Sequence, residues 1–221
     1  MTSDESKMSE AEFAEYADRK EADMKAQFGV ADRACGECTA CCTVMAVDEL
    51  GKFMNMRCPH DAGGCCAIYA SRPRSCRGWA CSWLLGHIAG DLRRRPDKSG
   101  LVFNQEELGG KFMFVAIEAW PGAAKESSNA YFIKKMSQST PIIVRKYEDC
   151  RHDVIAPNAA QCQRLLRSIE KEWDPGLQRK LQARNNFIAQ QNAARQNAAQ
   201  QGAAPPSYFT QVVVGNVPPA K

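Results

Sequence analysis

Nine of the chain's eleven cysteines fall between Cys35 and Cys81, and that concentration constrains the fold more than any other feature. The stretch opens Cys35-Gly-Glu-Cys38-Thr-Ala-Cys41-Cys42 and continues with Cys58-Pro-His60. It closes with Cys65-Cys66-Ala-Ile-Tyr69-Ala-Ser-Arg72-Pro73-Arg-Ser-Cys76-Arg77-Gly-Trp79-Ala-Cys81. Thiolates are soft ligands that select zinc or iron–sulfur clusters, and C-x2-C spacing lets two of them reach one centre from a tight turn. Residues 31–100 are otherwise rich in small and turn-forming types, Gly63-Gly64 among them. Such a segment buries too little apolar surface to fold alone. A bound metal makes up the difference, since structural zinc contributes about 10–16 kcal/mol of apparent binding energy.

The first residues show no basic-then-apolar leader pattern, and no run approaches the roughly 18 apolar residues that span a bilayer. The expectation is a cytoplasmic protein that does not enter membranes. In that reducing setting clustered cysteines serve as ligands or catalytic groups more often than as disulfides. An odd total of eleven also fits poorly with complete pairing.

Charge is uneven. Residues 1–30 carry eight acidic and four basic side chains, whereas 72–98 carry seven basic and two acidic ones. Basic clusters occur in nucleic-acid binders. The simpler expectation for Arg72, Arg74, Arg77, Arg93, Arg94 and Arg95 is compensation: guanidinium groups beside thiolates offset their charge and lower their pKa values.

Four segments follow from the pattern. Residues 1–30 predict an amphipathic helix over 9–28, opened by a Ser9/Glu12 capping box, with Phe13, Tyr16, Ala17, Met24 and Phe28 on one stripe and Gly29 as stop. That helix packs on its own core or docks a protein partner. Residues 31–100 form the cysteine-cluster module. Residues 101–189 predict a small antiparallel sheet with helices: Leu101–Phe103, the apolar run 111–120 after Gly109-Gly110, and a hairpin of 142–144 with 154–155. Short helices are expected over 126–136, from Asn158 with Cys162, Leu165, Leu166 and Ile169 inward, and from Asp174-Pro175. Residues 190–221 are low in complexity, a frayed helix or disordered tail. In it Tyr208–Val214 is a strand-like island able to add to a sheet edge, its own or a partner's. The fold class is therefore α+β: a cysteine-rich, metal-stabilised module followed by a small antiparallel sheet with flanking helices.

Cys41 and Cys42 are adjacent, and in extended backbone their side chains point opposite ways. One four-coordinate ion accepts both with difficulty, so the pair suggests two neighbouring sites or one multinuclear cluster. Adding Cys58, Cys66, Cys76 and Cys81 to Cys35, Cys38, Cys41 and Cys42 gives eight thiols, the number that two all-cysteine tetrahedral sites require. The spacing leaves open which four share an ion.

The run C-x2-C-x2-C-C followed by C-x-I-Y-x-x-R-P-x-x-C-R-x-W-x-C resembles the CxxCxxCC family of zinc- or iron-chelating cysteine-cluster proteins, which includes relatives of flagellin lysine-N-methylase. The resemblance covers residues 35–85. Those eight cysteines, with Ile68, Tyr69, Arg72, Pro73 and Arg77, stand where that family has its motif, and it implies metal or Fe–S binding more than any activity. Cys65 departs from it, a Gly being usual before the C-x-I-Y cysteine, and is a spare thiol or a substitute for Cys66.

Zinc and Fe–S remain alternatives. The C-x2-C-x2-C run lacks the ferredoxin C-x3-C-P completion, while vicinal cysteines and the missing paired C-x2-C…C-x2-C pattern lean towards Fe–S. His60 is a candidate ligand or a neighbour of the site. Tyr69, Trp79 and Trp83 are expected to shield it from water. Cys162 reads as core, and His87 and His152 have no ligand spacing. Cys35-Gly-Glu-Cys38 lacks the strand that precedes a thioredoxin-like dithiol, Met45 interrupts a radical-type C-x3-C-x2-C run, and no nucleotide motif appears. The function expected is metal binding, for electron transfer or metal handling. A metal-dependent protein-lysine methyltransferase-like enzyme and a basic zinc module for nucleic acid are the rivals.

Overall fold

The computed structural model describes residues 5–90 and 92–200, so the Tyr208–Val214 island lies outside the described residues. Seven helices and four strands alternate with short 3-10 turns in this part of the chain: α1 (Glu10–Gln27), α2 (Ala40–Val44), α3 (Arg74–Arg77), α4 (Pro96–Ser99), β1 (Leu101–Leu108), β2 (Lys111–Glu118), α5 (Ser127–Ser137), β3 (Ile142–Arg145), β4 (His152–Ile155), α6 (Ala159–Glu172) and α7 (Asp174–Gln200). The fold is mixed α+β, a four-stranded sheet with flanking helices. Among the described residues no helix is long and apolar enough to cross a membrane.

The sheet runs in the order β1-β2-β3-β4. β1 and β2 form an antiparallel hairpin with Val102 opposite Ile117. Its two-residue turn, Gly109-Gly110, has φ of 59° and 71°, the left-handed pair a tight hairpin needs. The expectation of an all-antiparallel sheet is corrected at the next pairing. β3 lies parallel to β2, with Val115 opposite Ile143, because α5 carries the chain back across the sheet before β3 begins. β4 closes the β3 hairpin antiparallel.

Alternation along the strands gives two buried faces. Val102, Leu108, Met113, Val115, Ile117 and Ile143 face the cysteine module and Ile169 of α6. Leu101, Phe103, Ala116, Ile142 and Val144 face Ile133 of α5 with Ile88, Ala123 and Ala124. A sheet covered on both sides reads as continuous apolar sequence, as 111–120 does. The cysteine module therefore serves as one of the sheet's two coverings.

α1 carries its expected capping box: Ser9 Oγ accepts from Glu12 N–H and Glu12 Oε2 accepts from Ser9 N–H at 2.8 Å. Its buried residues, Phe13 and Ala17, pack on this chain's own α3 region. Arg74 fixes that contact, lying over the Phe13 ring, donating to Glu10 Oε1 at 2.6 Å and reaching the carbonyls of Glu5 and Met8. On the other side, buried Asn129 of α5 donates to the carbonyls of Ser99 and Ala123 and accepts from Arg94. α7 continues through the Gln/Asn/Ala stretch to Gln200.

Where the strands meet α7, Arg145 donates two hydrogen bonds to Glu106, at 3.0 and 2.6 Å, and a third to His152 Nε2 at 3.1 Å. His152 Nδ1 sits 3.4 Å from Asp174 Oδ1, and its ring lies against Trp173. Burial, then the Arg145 charge, holds the imidazole pKa below its ordinary 6.5, against the pull of Asp174 and Glu106.

Folded His152 thus refuses a proton that the unfolded chain accepts, and its contribution to stability is lost as pH falls below 6.5. His152→Gln should flatten the fall in denaturation midpoint between pH 6.5 and 5; an unchanged slope contradicts this network. Gly100 and Gly110 share φ of 71°, but a Cβ on Gly100 would lie 2.4 Å from the Trp120 ring, while one on Gly110 meets nothing. In urea denaturation Gly100→Ala should cost about 2–3 kcal/mol against about 1 for Gly110→Ala.

Candidate metal centre

Nine cysteine side chains line one cavity of about 370 Å³: Cys35, Cys38, Cys41, Cys42, Cys58, Cys65, Cys66, Cys76 and Cys81. Its wall also includes Lys52, His60, Tyr69, Arg72 and Trp79, with Leu84 and Val102 behind them. All eleven cysteines are free thiols. The eight ligands expected from the sequence are thus brought together, with Cys65 as a ninth.

Turns do the gathering. Cys38 N–H donates to the Cys35 carbonyl at 2.9 Å, and α2 then carries Cys41 and Cys42. Cys58 N–H bonds the Cys42 carbonyl at 2.9 Å, bringing the second strip against the first. An Asp61–Cys66 bridge folds the Gly63-Gly64 loop back, with Asp61 held by Arg57 at 3.0 Å. Pro73 opens α3, which presents Cys76, and Cys81 Sγ accepts from Leu84 N–H at 3.5 Å.

Cys41 and Cys42 lie on a helix, so the opposite-facing geometry of an extended backbone does not apply to them. Successive helical side chains diverge by about 100° instead of 180°, so the two thiols can still touch. The neighbouring thiol of each acts on the other, raising the Cys41 pKa and lowering that of Cys42. Burial pushes the remaining shifted thiols of the cavity up: Cys35 and Cys58 above the ordinary 9.0, Cys76 and Cys81 to about 11, and Cys38 to about 12. The expectation that arginines lower the cysteine pKa values is corrected here. Arg72 does pull Cys35 down, but burial outweighs it.

The remaining arginines act elsewhere. Arg74 and Arg77 hold α1, the latter through Asp18 at 3.3 Å while also donating to the Ala70 carbonyl of the cysteine module; Arg94 reaches Asn129; Arg95 pairs with Asp97. The basic cluster at 72–98 is therefore largely spent on internal pairs.

Two cations fit a negatively charged group in the cavity. Lys52 is only 6% exposed, and its ammonium donates to the carbonyls of Thr43, Met45 and Phe53. None of the salt bridges described gives it a carboxylate; the acidic groups acting on it are the thiols of Cys58, Cys42, Cys41 and Cys76. Burial lowers its pKa to about 8. Arg72 Nε is the one buried side-chain nitrogen or oxygen among the described residues that lacks a hydrogen-bond partner. An orphaned N–H and an unbalanced ammonium are costly unless acceptors with negative charge stand nearby. Thiolates are such acceptors, and metal binding is what turns buried thiols into thiolates. Among the described residues, however, no three His, Cys, Asp or Glu side chains stand in metal-binding geometry, so the thiols line the cavity without closing a cage.

His60, Tyr69 and Trp79 line the cavity as expected. Trp83 does not; it is core, beneath the Arg33 guanidinium. Cys150 is buried against Met54 and Asn55, and Cys162 donates to the Val154 carbonyl. Lys52 escaped the sequence reading, since a single lysine after Gly51 carries no motif. Compared with family models, curated proteins and solved structures, the chain matches none.

Thiol reactivity follows thiolate fraction and access. In the reduced, metal-free protein at pH 8, iodoacetamide should label exposed Cys65 first, with Cys76 and Cys81 slower than ordinary thiols by on the order of 100-fold. Peptide mapping that finds Cys81 labelled as fast as Cys65 would contradict the burial.

Proposed function

We propose that this chain is a metal-binding protein whose Cys35, Cys38, Cys41, Cys42, Cys58, Cys66, Cys76 and Cys81 hold zinc or iron–sulfur centres. The observation that carries this reading is the shared cavity: soft donors from five separate strips of sequence meet beside a buried ammonium and an orphaned guanidinium N–H. Lys52 and Arg72 offset the charge of the metal-bound thiolates, and Tyr69 and Trp79 limit water. The motif resemblance over residues 35–85 points the same way. Bound there, the metal supplies fold stability, and in an iron–sulfur form one-electron chemistry.

Anaerobic purification followed by metal analysis and a visible spectrum tests the reading. Iron with labile sulfide and a brown colour, or colourless protein with about two zincs, supports it; protein free of both metals contradicts it. Cys41→Ser and Cys76→Ser should lose metal and fold stability together, while Cys150→Ser and Cys162→Ser keep the full metal content.

A further inference from the structure

Behind the cysteine cavity lies a second one of about 430 Å³, and the two share Met45 and Trp79 as a common wall. Its volume is that of a small-molecule site. Its floor is the sheet face that otherwise carries apolar side chains. Along β1, Val102 and Leu108 are core, but the two same-facing residues between them are Asn104 and Glu106. Arg145 and His152, paired across β3 and β4, complete this polar patch. The charged groups satisfy one another: Arg145 donates to Glu106 and to His152, whose other ring nitrogen faces Asp174. Asn104 is different. Its carboxamide lines the cavity and has no hydrogen-bond partner among the described residues. An unpartnered amide on an apolar sheet face breaks a local rule, as happens at functional sites.

The other walls are held in place. Trp173 Nε1 donates to the Glu107 carbonyl at 2.9 Å, and the Arg145 guanidinium lies over its ring. Asn55 and Cys150 meet here, with Asn55 Nδ2 donating to Cys150 Sγ at 3.2 Å. They are the two non-glycine residues with left-handed φ among the described residues, and backbone strain of this kind gathers at ligand sites. A carboxamide presents one donor and one acceptor in a plane, the complement of an amide-type edge. The indoles of Trp79 and Trp173 and the thioethers of Met45 and Met54 suit a flat aromatic ring. Charges in the wall offset in sign, Glu106 with Arg145 and Glu172 with Lys180, so no ion is called for. We propose that this cavity binds a small, neutral, planar nitrogen heterocycle by its amide-type edge, with Asn104 as the residue that recognises it. This site goes beyond metal binding and does not depend on it.

Calorimetry on the full chain as purified, with adenine, hypoxanthine, uracil and nicotinamide as probes, tests this. At least one should bind saturably, one per chain, with a Kd under about 1 mM. Benzyl alcohol, a ring without the amide-type edge, should bind about tenfold more weakly or worse. Asn104→Leu should weaken the heterocycle by about tenfold or more while leaving the metal content unchanged. Because Asn104 makes no structural hydrogen bond, the same variant should keep or raise the urea midpoint. Failure of all the heterocycles to saturate, equal affinity in Asn104→Leu, or benzyl alcohol binding as tightly overturns the proposal. A lowered urea midpoint in Asn104→Leu assigns Asn104 to the fold and overturns it too. None of these outcomes bears on the metal content, which is measured separately.

Discussion

A buried thiol ionises only if something positive stands close enough to replace water, and the organisation of this chain follows from that constraint. Burial keeps Cys38, Cys76 and Cys81 protonated well past their ordinary range. Of the nearby fixed cations, Lys52 donates to three carbonyls but meets no carboxylate in the salt bridges described, and Arg72 leaves its Nε N–H without an acceptor. Neutral thiols facing cations that lack a counter-charge make a poor core by themselves. A divalent metal bound as proposed would resolve both costs, because it would displace the thiol protons and give the cations negative charge to face.

That constraint also explains the division of labour between the two halves of the chain. The sheet supplies an apolar platform with its own fully buried strands, Val102, Val115 and Ile143 on one face. The cysteine module has little apolar surface of its own and borrows this one through Leu84, Trp83 and Cys81. α1 clamps the far side of the module through Phe13 and Arg74. The arginines that made the 72–98 stretch look like a nucleic-acid surface are chiefly internal fasteners.

Much of this was legible from residues alone. The capping box at Ser9 and Glu12, the Asn158 cap, the double-glycine hairpin and the doubly buried run of β2 each have a local cause, and local causes are visible in sequence. The parallel pairing of β3 with β2 was not, since the four-residue strand 142–145 carries no sign of which neighbour it joins. At the site, spacing marked all eight cysteines, and the structure brings them to one cavity. It could not reveal that Cys41 and Cys42 are helical, nor that a lone lysine at 52 folds beneath them. Those facts depend on long-range turns such as Cys58 N–H to the Cys42 carbonyl.

X-ray absorption at the metal edge of anaerobically purified, full-length protein addresses the central claim most directly. An all-sulfur first shell, at about 2.3 Å if the metal is zinc, is the predicted result. A shell of nitrogen and oxygen, or a preparation in which the sulfurs are paired as disulfides and no metal edge is seen, would contradict it.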